Sequence, residues 1–379
     1  MSTFKYVGLT APGQLGYVEA PVPSPGEKEV LVKVEYAAVG PFDLYNTDLE
    51  FFVSGYPYRL GLSGAGTIEK VGLNVDDLKV GDRVAFVAFA YPNKALLDYA
   101  IQPRSLVSKV STPPFVAFES ESAVTDTLQI PDSLPLEKAV TFPDNFATAF
   151  YTLFSQIGLP IPTEYPSKTS PPRSAAPILV YGGGATSGQY MIQLLALAGY
   201  KNIITAASKH HEDYLRSLGA THVVDYRSPS FVEEILAAAG GKLEIIIDVI
   251  ALSDTFRDIH TKLITPGGSI AFLSPFKLGS GSLTATDGKL VSEVLEEVKG
   301  WFAEDVSLIV VKTFFFQEDE RLANTLLPVI LSKILEDGLI APNRTRVFEE
   351  GDLLARVQGA IELVRSNKAN GEKIVVKLT

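Results

Sequence analysis

Cysteine is absent from this chain of 379 residues. Disulfides and every thiolate zinc site are thereby excluded. Histidine is scarce too, and the four present, His210, His211, His222 and His260, show no ligand spacing with nearby carboxylates, so no bound metal is expected. No apolar stretch approaches the roughly twenty residues that span a bilayer. The N-terminus Met1-Ser2-Thr3-Phe4-Lys5 lacks the apolar core of a signal peptide, which predicts a soluble, cytoplasmic protein with no membrane partner. Cations are outnumbered, with 33 Lys and Arg against 44 Asp and Glu. The resulting net charge of −11 argues against a nucleic-acid partner, which an acidic surface would repel. Apolar residues, by contrast, make up 46% of the chain, enough at this length for two domains with a core each.

Residues up to about 110 read as β-rich. Val30, Val32, Val34 and Tyr36 alternate with charged residues as in a strand with one wet face, and further strands are expected at 67–71, 83–89 and 97–101. The polar, breaker-rich segment 111–127 reads as a surface insertion, and 160–177 as an exposed loop. Between them a helix begins near Pro135. A second helix over 145–157 gathers Phe146, Ala149, Phe150 and Leu153 on one face.

The run Ile178-Leu179-Val180-Tyr181-Gly182-Gly183-Gly184-Ala185-Thr186-Ser187-Gly188 carries the most chemistry. A buried β-branched strand enters a glycine turn and then an apolar helix, which is the build of a pyrophosphate cradle. Glycines let the backbone approach the phosphates, whose charge sits against amides and the positive end of the helix dipole. The spacing is G-x-G-x-x-x-G, so Gly183, Gly184, Ala185, Thr186, Ser187 and Gly188 are the candidate cofactor ligands. A tight turn with no ligand is the plainer alternative. From here strands are expected at 178–181, 202–207, 222–224, 243–249, 269–273 and 308–315, with helices at 189–198, 212–218, 231–238, 253–263 and 290–302. Six strands with crossover helices make an α/β fold with a doubly wound parallel sheet. After Glu320 a long helix to about Gly338, a strand at 345–349, a helix at 353–366 and a strand at 373–378 return to complete the β-rich domain. The expected domains are therefore 1–138 with 320–379, and 139–319.

Leu60-Gly61-Leu62-Ser63-Gly64-Ala65-Gly66, Val80-Gly81-Asp82-Arg83-Val84-Ala85 and Asn370-Gly371-Glu372-Lys373-Ile374-Val375-Val376 together resemble the medium-chain dehydrogenase/reductase superfamily, in order and over nearly the whole chain. The resemblance implies a GroES-like catalytic domain beside the Rossmann domain. Leu62 and Ser63 stand where the zinc alcohol dehydrogenases have the histidine and glutamate of G-H-E-G-A-G, and Gly40-Pro41-Phe42-Asp43 is similar to the N-P-x-D of the zinc-independent quinone and enoyl reductases. Within that branch the glycine turn most resembles fungal trans-acting enoyl reductases. The resemblance implies cofactor contacts at Pro41, Asp43, Ile250, Leu273 and Asn370.

The second strand ends in Ala207-Ser208-Lys209-His210-His211, without the acid that NAD-dependent folds place on the ribose hydroxyls. The hydroxyl of Ser208, the ammonium of Lys209 and the imidazole of His211 suit a 2′-phosphate, so NADPH is expected over NADH. In the resemblance, Ser208 and Tyr226 grip that phosphate; a packed strand-end tyrosine is the alternative for Tyr226, and a helix-start surface position for His210 and His211. Without zinc, the enolate left by hydride delivery to an enone needs another stabiliser. Relatives place a tyrosine at the Y-P loop, here Tyr56, and a threonine near the nicotinamide, here Thr148, making these the catalytic candidates. Plainer roles are loop packing for Tyr56 and a helix back-bond for Thr148. Tyr45 replaces the lysine of N-P-x-D-W-K. The expected activity is zinc-independent, NADPH-dependent reduction of an activated C=C or a quinone, on a small-molecule substrate, free or as a carrier-bound or CoA thioester. A non-catalytic dinucleotide-binding protein and a metal-free alcohol or carbonyl oxidoreductase stay open.

Overall fold

The computed structural model describes residues 2–89, 93–110, 134–278 and 289–379, so the expected insertion at 111–127 lies outside the described residues. The chain divides into two compact units, Met1–Asp144 with Gln317–Thr379, and Asn145–Phe316.

The first unit opens with an antiparallel hairpin, β1 (Thr3–Ala11) and β2 (Gln14–Pro21), turned at Gly13 with φ +67°. The centre of its main sheet is β3 (Glu29–Val39), which pairs with β4 (Ser63–Val71) on one side. β5 (Arg83–Val87), β6 (Tyr99–Pro103) and β7 (Val107–Lys109) complete its N-terminal portion. The wet face expected for β3 is confined to Lys33 and Glu35; Leu31 is as buried as Val30 and Val32, because core side chains cover both faces. A helix at Pro41–Leu49 was not legible as such. Proline at its first position, an Asp43 carboxylate that accepts the Gly40 amide, and Glu50 in the left-handed region at its end define it.

The second unit holds β8 (Ile178–Tyr181), β9 (Ile203–Ala207), β10 (His222–Asp225), β11 (Leu243–Asp248), β12 (Ile264–Leu273) and, after the antiparallel pair β13 (Phe276–Leu278) and β14 (Lys289–Val291), β15 (Ser307–Val311). The sheet order is β10-β9-β8-β11-β12-β15, all parallel. This is the doubly wound order, reversing between β8 and β11, and ligands of such sheets bind where the order reverses. Two expectations need correction here. The helix over 290–302 is strand at Lys289–Val291 and helical only at Glu296–Lys299, since Leu290 and Val291 pair with Lys277 and Phe276. The last strand ends at Val311, and Thr313–Glu318 is a 3₁₀ helix that buries Phe316.

The chain then returns to the first unit with β16 (Thr345–Phe348) and β17 (Lys373–Lys377), β17 lying antiparallel to β3 with Ile374 opposite Val39. Between them the helix Leu353–Arg365, capped by the Asp352 carboxylate on the Ala355 amide, buries Val357, Ala360, Ile361 and Val364, spaced to share one face.

Candidate dinucleotide site

Gly182 leaves β8 with φ +91°, a conformation that a side chain would strain, and both its amide and that of Gly183 are held by the Ala206 carbonyl at 3.1 Å. The helix Thr186–Leu197 follows at once, and a Cβ on Gly188 would lie 2.5 Å from the Gly182 carbonyl oxygen and 2.9 Å from Gly183 Cα. Only glycine lets this helix sit on this turn. A Cβ on Gly183 would strike Thr205 Oγ1 at 1.9 Å, so that position is closed as well. Gly184 differs: a Cβ there meets nothing nearer than His211 Cδ2 at 3.3 Å. Its outer side is the one open face of the three central glycines. The first intrahelical bond runs from the Gln189 amide to the Ala185 carbonyl, so the amides before it face out of the helix end, where an anion suits them.

Three buried groups that the sequence reading missed fix this turn. Asn145 Oδ1 accepts from Thr186 Oγ1 at 3.1 Å and Ser187 Oγ at 3.0 Å. Gln189 Nε2 donates to the Gly184 carbonyl at 2.9 Å, and Tyr214 donates to Gln189 Oε1 at 3.0 Å. Thr205 Oγ1 donates to the Val180 carbonyl. A polar residue in the first turn of an apolar helix is the only sequence trace of Asn145, since its partners lie 41 and 42 positions away.

At the end of β9, Ser208 Oγ and the exposed Tyr226 hydroxyl lie 3.4 Å apart, joining two residues that the sequence separates by 18 positions. Lys209 is exposed beside them, its amide on Asp225 Oδ2. Asp225 is the one acid here, and Arg227 grips it through Nε and an Nη at 3.0 and 2.9 Å, which holds its carboxyl well below the usual range. The acid's charge is therefore spoken for. His211, a candidate for the 2′-phosphate with a surface position as the alternative, is 5% exposed, its ring lying against Gly184 and tilted against that of His210. Ile250, after β11, and Leu273, ending β12, are half-buried at the same strand ends of the sheet. Thr148 Oγ1 accepts from Thr313 Oγ1 at 3.1 Å, which is not the helix carbonyl bond of its plainer reading.

The remaining candidates belong to the first unit. The β3–β17 and β3–β4 registers bring Pro41, Gly61 and Asn370 to one end of its sheet. Asp43 is buried there with its oxygens on the Gly40 and Gly61 amides at 2.9 and 2.7 Å, and burial pushes its carboxyl up while these bonds oppose the shift. It ties two loops together rather than facing outward. Close by in the fold, Asp144 joins Lys373 Nζ at 2.9 Å and Ser63 Oγ at 3.0 Å. Tyr56 lines a cleft of about 390 Å³ with Tyr6, Glu19, Ser54 and Arg59, and donates to Glu50 Oε1 at 2.6 Å, an acceptor that pushes the phenol up to about 12. Among the described residues no group of three His, Asp or Glu is gathered as a metal site.

Two family models match the chain: the alcohol dehydrogenase GroES-like domain over residues 26–98 and the zinc-binding dehydrogenase domain over residues 188–290. The enoyl reductase component lovC of lovastatin nonaketide synthase from Aspergillus terreus is 29% identical over 95% of this chain and 92% of its own length. The trans-enoyl reductase himH from Aspergillus japonicus is 34% identical over 60% of each chain. In fold, the chain is similar to the CurK enoyl reductase with a TM-score of 0.71, at 19% identity over 99% of both chains.

Proposed function

Because this chain belongs to the medium-chain dehydrogenase/reductase superfamily, in its enoyl-reductase-like branch, we propose that it is a zinc-independent, NADPH-dependent reductase of an activated carbon–carbon double bond, carried as an enoyl thioester. The observation that carries the cofactor half is the packing of Gly188 on Gly182 beside the open face of Gly184. The substrate half rests on similarity to lovC and himH, which are enoyl reductases by name.

The residues suit the dinucleotide. The amides of Gly184, Thr186, Ser187 and Gly188 would hold the pyrophosphate, those of Gly183 and Ala185 being spent on the Ala206 and Gly182 carbonyls within the turn. Ser208, Lys209 and Tyr226 would hold the 2′-phosphate, with Asp225 neutralised by Arg227 so that it does not repel it. His211 supports Gly184, and Thr148, Ile250, Leu273, Pro41 and Asn370 complete the proposed contacts, while Asp43 acts only through the Gly40 and Gly61 loops that it ties together. When bound, the cofactor supplies hydride to the β-carbon. Tyr56 binds the thioester carbonyl oxygen through its phenol, giving up the Glu50 carboxylate to do so, and thereby stabilises the negative charge that gathers on that oxygen. Leu62 stands in place of the histidine of G-H-E-G-A-G and the chain has no cysteine, so charge stabilisation falls to such donors.

The test is NADPH consumption with a panel of enoyl thioesters, enones, quinones and simple ketones. Turnover is expected with enoyl thioesters. NADPH binding with no turnover on any of them would instead mark a non-catalytic binder, and turnover on ketones alone a carbonyl reductase.

A further inference from the structure

The sheet order reverses between β8 and β11, so two turns flank the proposed dinucleotide site: the glycine turn after β8 and Val249-Ile250-Ala251-Leu252 after β11. They touch. A Cβ on Gly182 would lie 2.6 Å from Val249 Cγ2 and 2.7 and 2.8 Å from Ile250 Cγ1 and Cδ1, so the second turn is the wall on which the first is built.

That wall is strained and heavily tied. Ala251 has φ +56°, which an L-residue adopts at a cost. Asp248 Oδ1 accepts the amides of Ile250 and Ala251 at 2.7 and 2.9 Å. From the other side Lys277 Nζ donates to the Ile250 carbonyl at 2.5 Å, and the Lys277 amide donates to the Ala251 carbonyl at 2.9 Å. All four backbone polar groups of Ile250 and Ala251 are thus held by two residues. His260 Nε2 donates to the other Asp248 oxygen at 2.8 Å, while its Nδ1 is buried among the Tyr181 and Phe256 rings with no hydrogen-bond partner.

Burying these groups is expensive. Asp248 and His260 are fully buried and Lys277 is 8% exposed. Burial pushes the Lys277 ammonium down to about 8 against the attraction of Asp248. Well-packed apolar side chains commonly match or exceed the stability of a buried charged group, so folding alone does not call for a lysine here.

We infer that Lys277 and Asp248 are positioning residues that clamp the Ile250–Ala251 turn against the glycine cradle and so set the affinity for the dinucleotide. The inference rests on the reading of this site as a dinucleotide site. Lys277 acts through Ile250, which gives the test its form.

NADPH binding to the full chain is measured by calorimetry, and steady-state constants are measured alongside, for the unmodified protein, Lys277→Met, Ile250→Ala and the double variant. Lys277→Met is expected to raise the NADPH dissociation constant at least tenfold, raising KM for NADPH while KM for the enoyl substrate stays within twofold. In the Ile250→Ala background the same change is expected to cost less than threefold, because residues acting through one another are not additive. Equal tenfold losses in both backgrounds would overturn the clamp. Should Lys277→Met fail to fold, Ile250→Ala alone decides. A rise of at least threefold in its NADPH dissociation constant supports the wall, and an unchanged constant removes it. If the unmodified protein binds neither NADPH nor NADH, the dinucleotide reading itself falls; if it binds NADPH and both single variants bind it equally well, only the clamp falls.

Discussion

Gly184→Val separates the cradle's binding role from its folding role. A Cβ at position 184 meets His211 Cδ2 at 3.3 Å and, at 3.8 Å, His211 Nε2 and Ala207 Cβ, so the first added carbon nearly fits. The γ-methyls then occupy the open side of the turn, in front of the amides assigned to the pyrophosphate. Displacing the phosphates from even one charge-assisted bond costs about 1.5–3 kcal/mol. A loss of about 2 kcal/mol is a rise of roughly thirtyfold in the dissociation constant. Gly188→Val is the control with the opposite balance. Its Cβ falls 2.5 Å from a backbone oxygen, about 1 Å short of ordinary non-bonded separation, so the helix must retreat and overpacking adds about 1–3 kcal/mol of instability. Calorimetric NADPH titration and thermal melting, run on both variants, are the assay. Gly184→Val should bind at least thirtyfold more weakly with a melting temperature near that of the unmodified protein, and Gly188→Val should lose both affinity and stability. NADPH affinity unchanged in Gly184→Val would reduce the glycine run to a turn, and the reductase reading built on it would fall.

NADPH should bind at least tenfold more tightly than NADH, about 1.4 kcal/mol, and Ser208→Asp should narrow that gap; equal constants by calorimetry would remove the 2′-phosphate argument. Asn145→Ala strips the acceptor from Thr186 and Ser187 and should lower unfolding stability by about 1–2 kcal/mol in a urea titration, with an unchanged midpoint counting against that network. Activity should survive exhaustive chelation, and loss of turnover restored by zinc would refute metal independence. Burial pushes Lys94 and Lys277 down to about 8 from 10.5, so between those values the unfolded chain holds more protons and stability should rise from pH 8 toward 10. Above about pH 10 the sign reverses, since burial keeps Tyr45 and Tyr165 protonated only in the folded chain; a urea midpoint flat from pH 8 to 10 would contradict the lysine burial.

The central strands and glycine turn of the second unit were legible because each strand is a short β-branched run bounded by breakers, and the turn's residues are local in sequence. Where a strand's partner decides its state, sequence failed: Lys289–Val291 has an apolar pattern that a helix could also use, and only pairing with Phe276–Leu278 makes it β. The helix at Pro41–Leu49 was hidden because the helix Leu353–Arg365 that packs on it lies far along the chain, whereas the hairpin fell in a stretch read only as β-rich. Ser208 and Tyr226 were found separately and the fold brings their hydroxyls to 3.4 Å, whereas Asp248, His260 and Lys277 gave no signal, since a lone charged residue reads as surface until its neighbours enclose it. Tyr56 was legible as a loop tyrosine, but its bond to Glu50 was not.

The most direct test of the central claim is isotope transfer. The protein is incubated with NADPH deuterated at the transferable position and an α,β-unsaturated thioester, and the product is weighed by mass spectrometry. The account predicts a saturated thioester carrying one deuterium at the β-carbon, formed equally in the presence of a chelator. Recovery of unreduced thioester from a protein that demonstrably binds NADPH would contradict it.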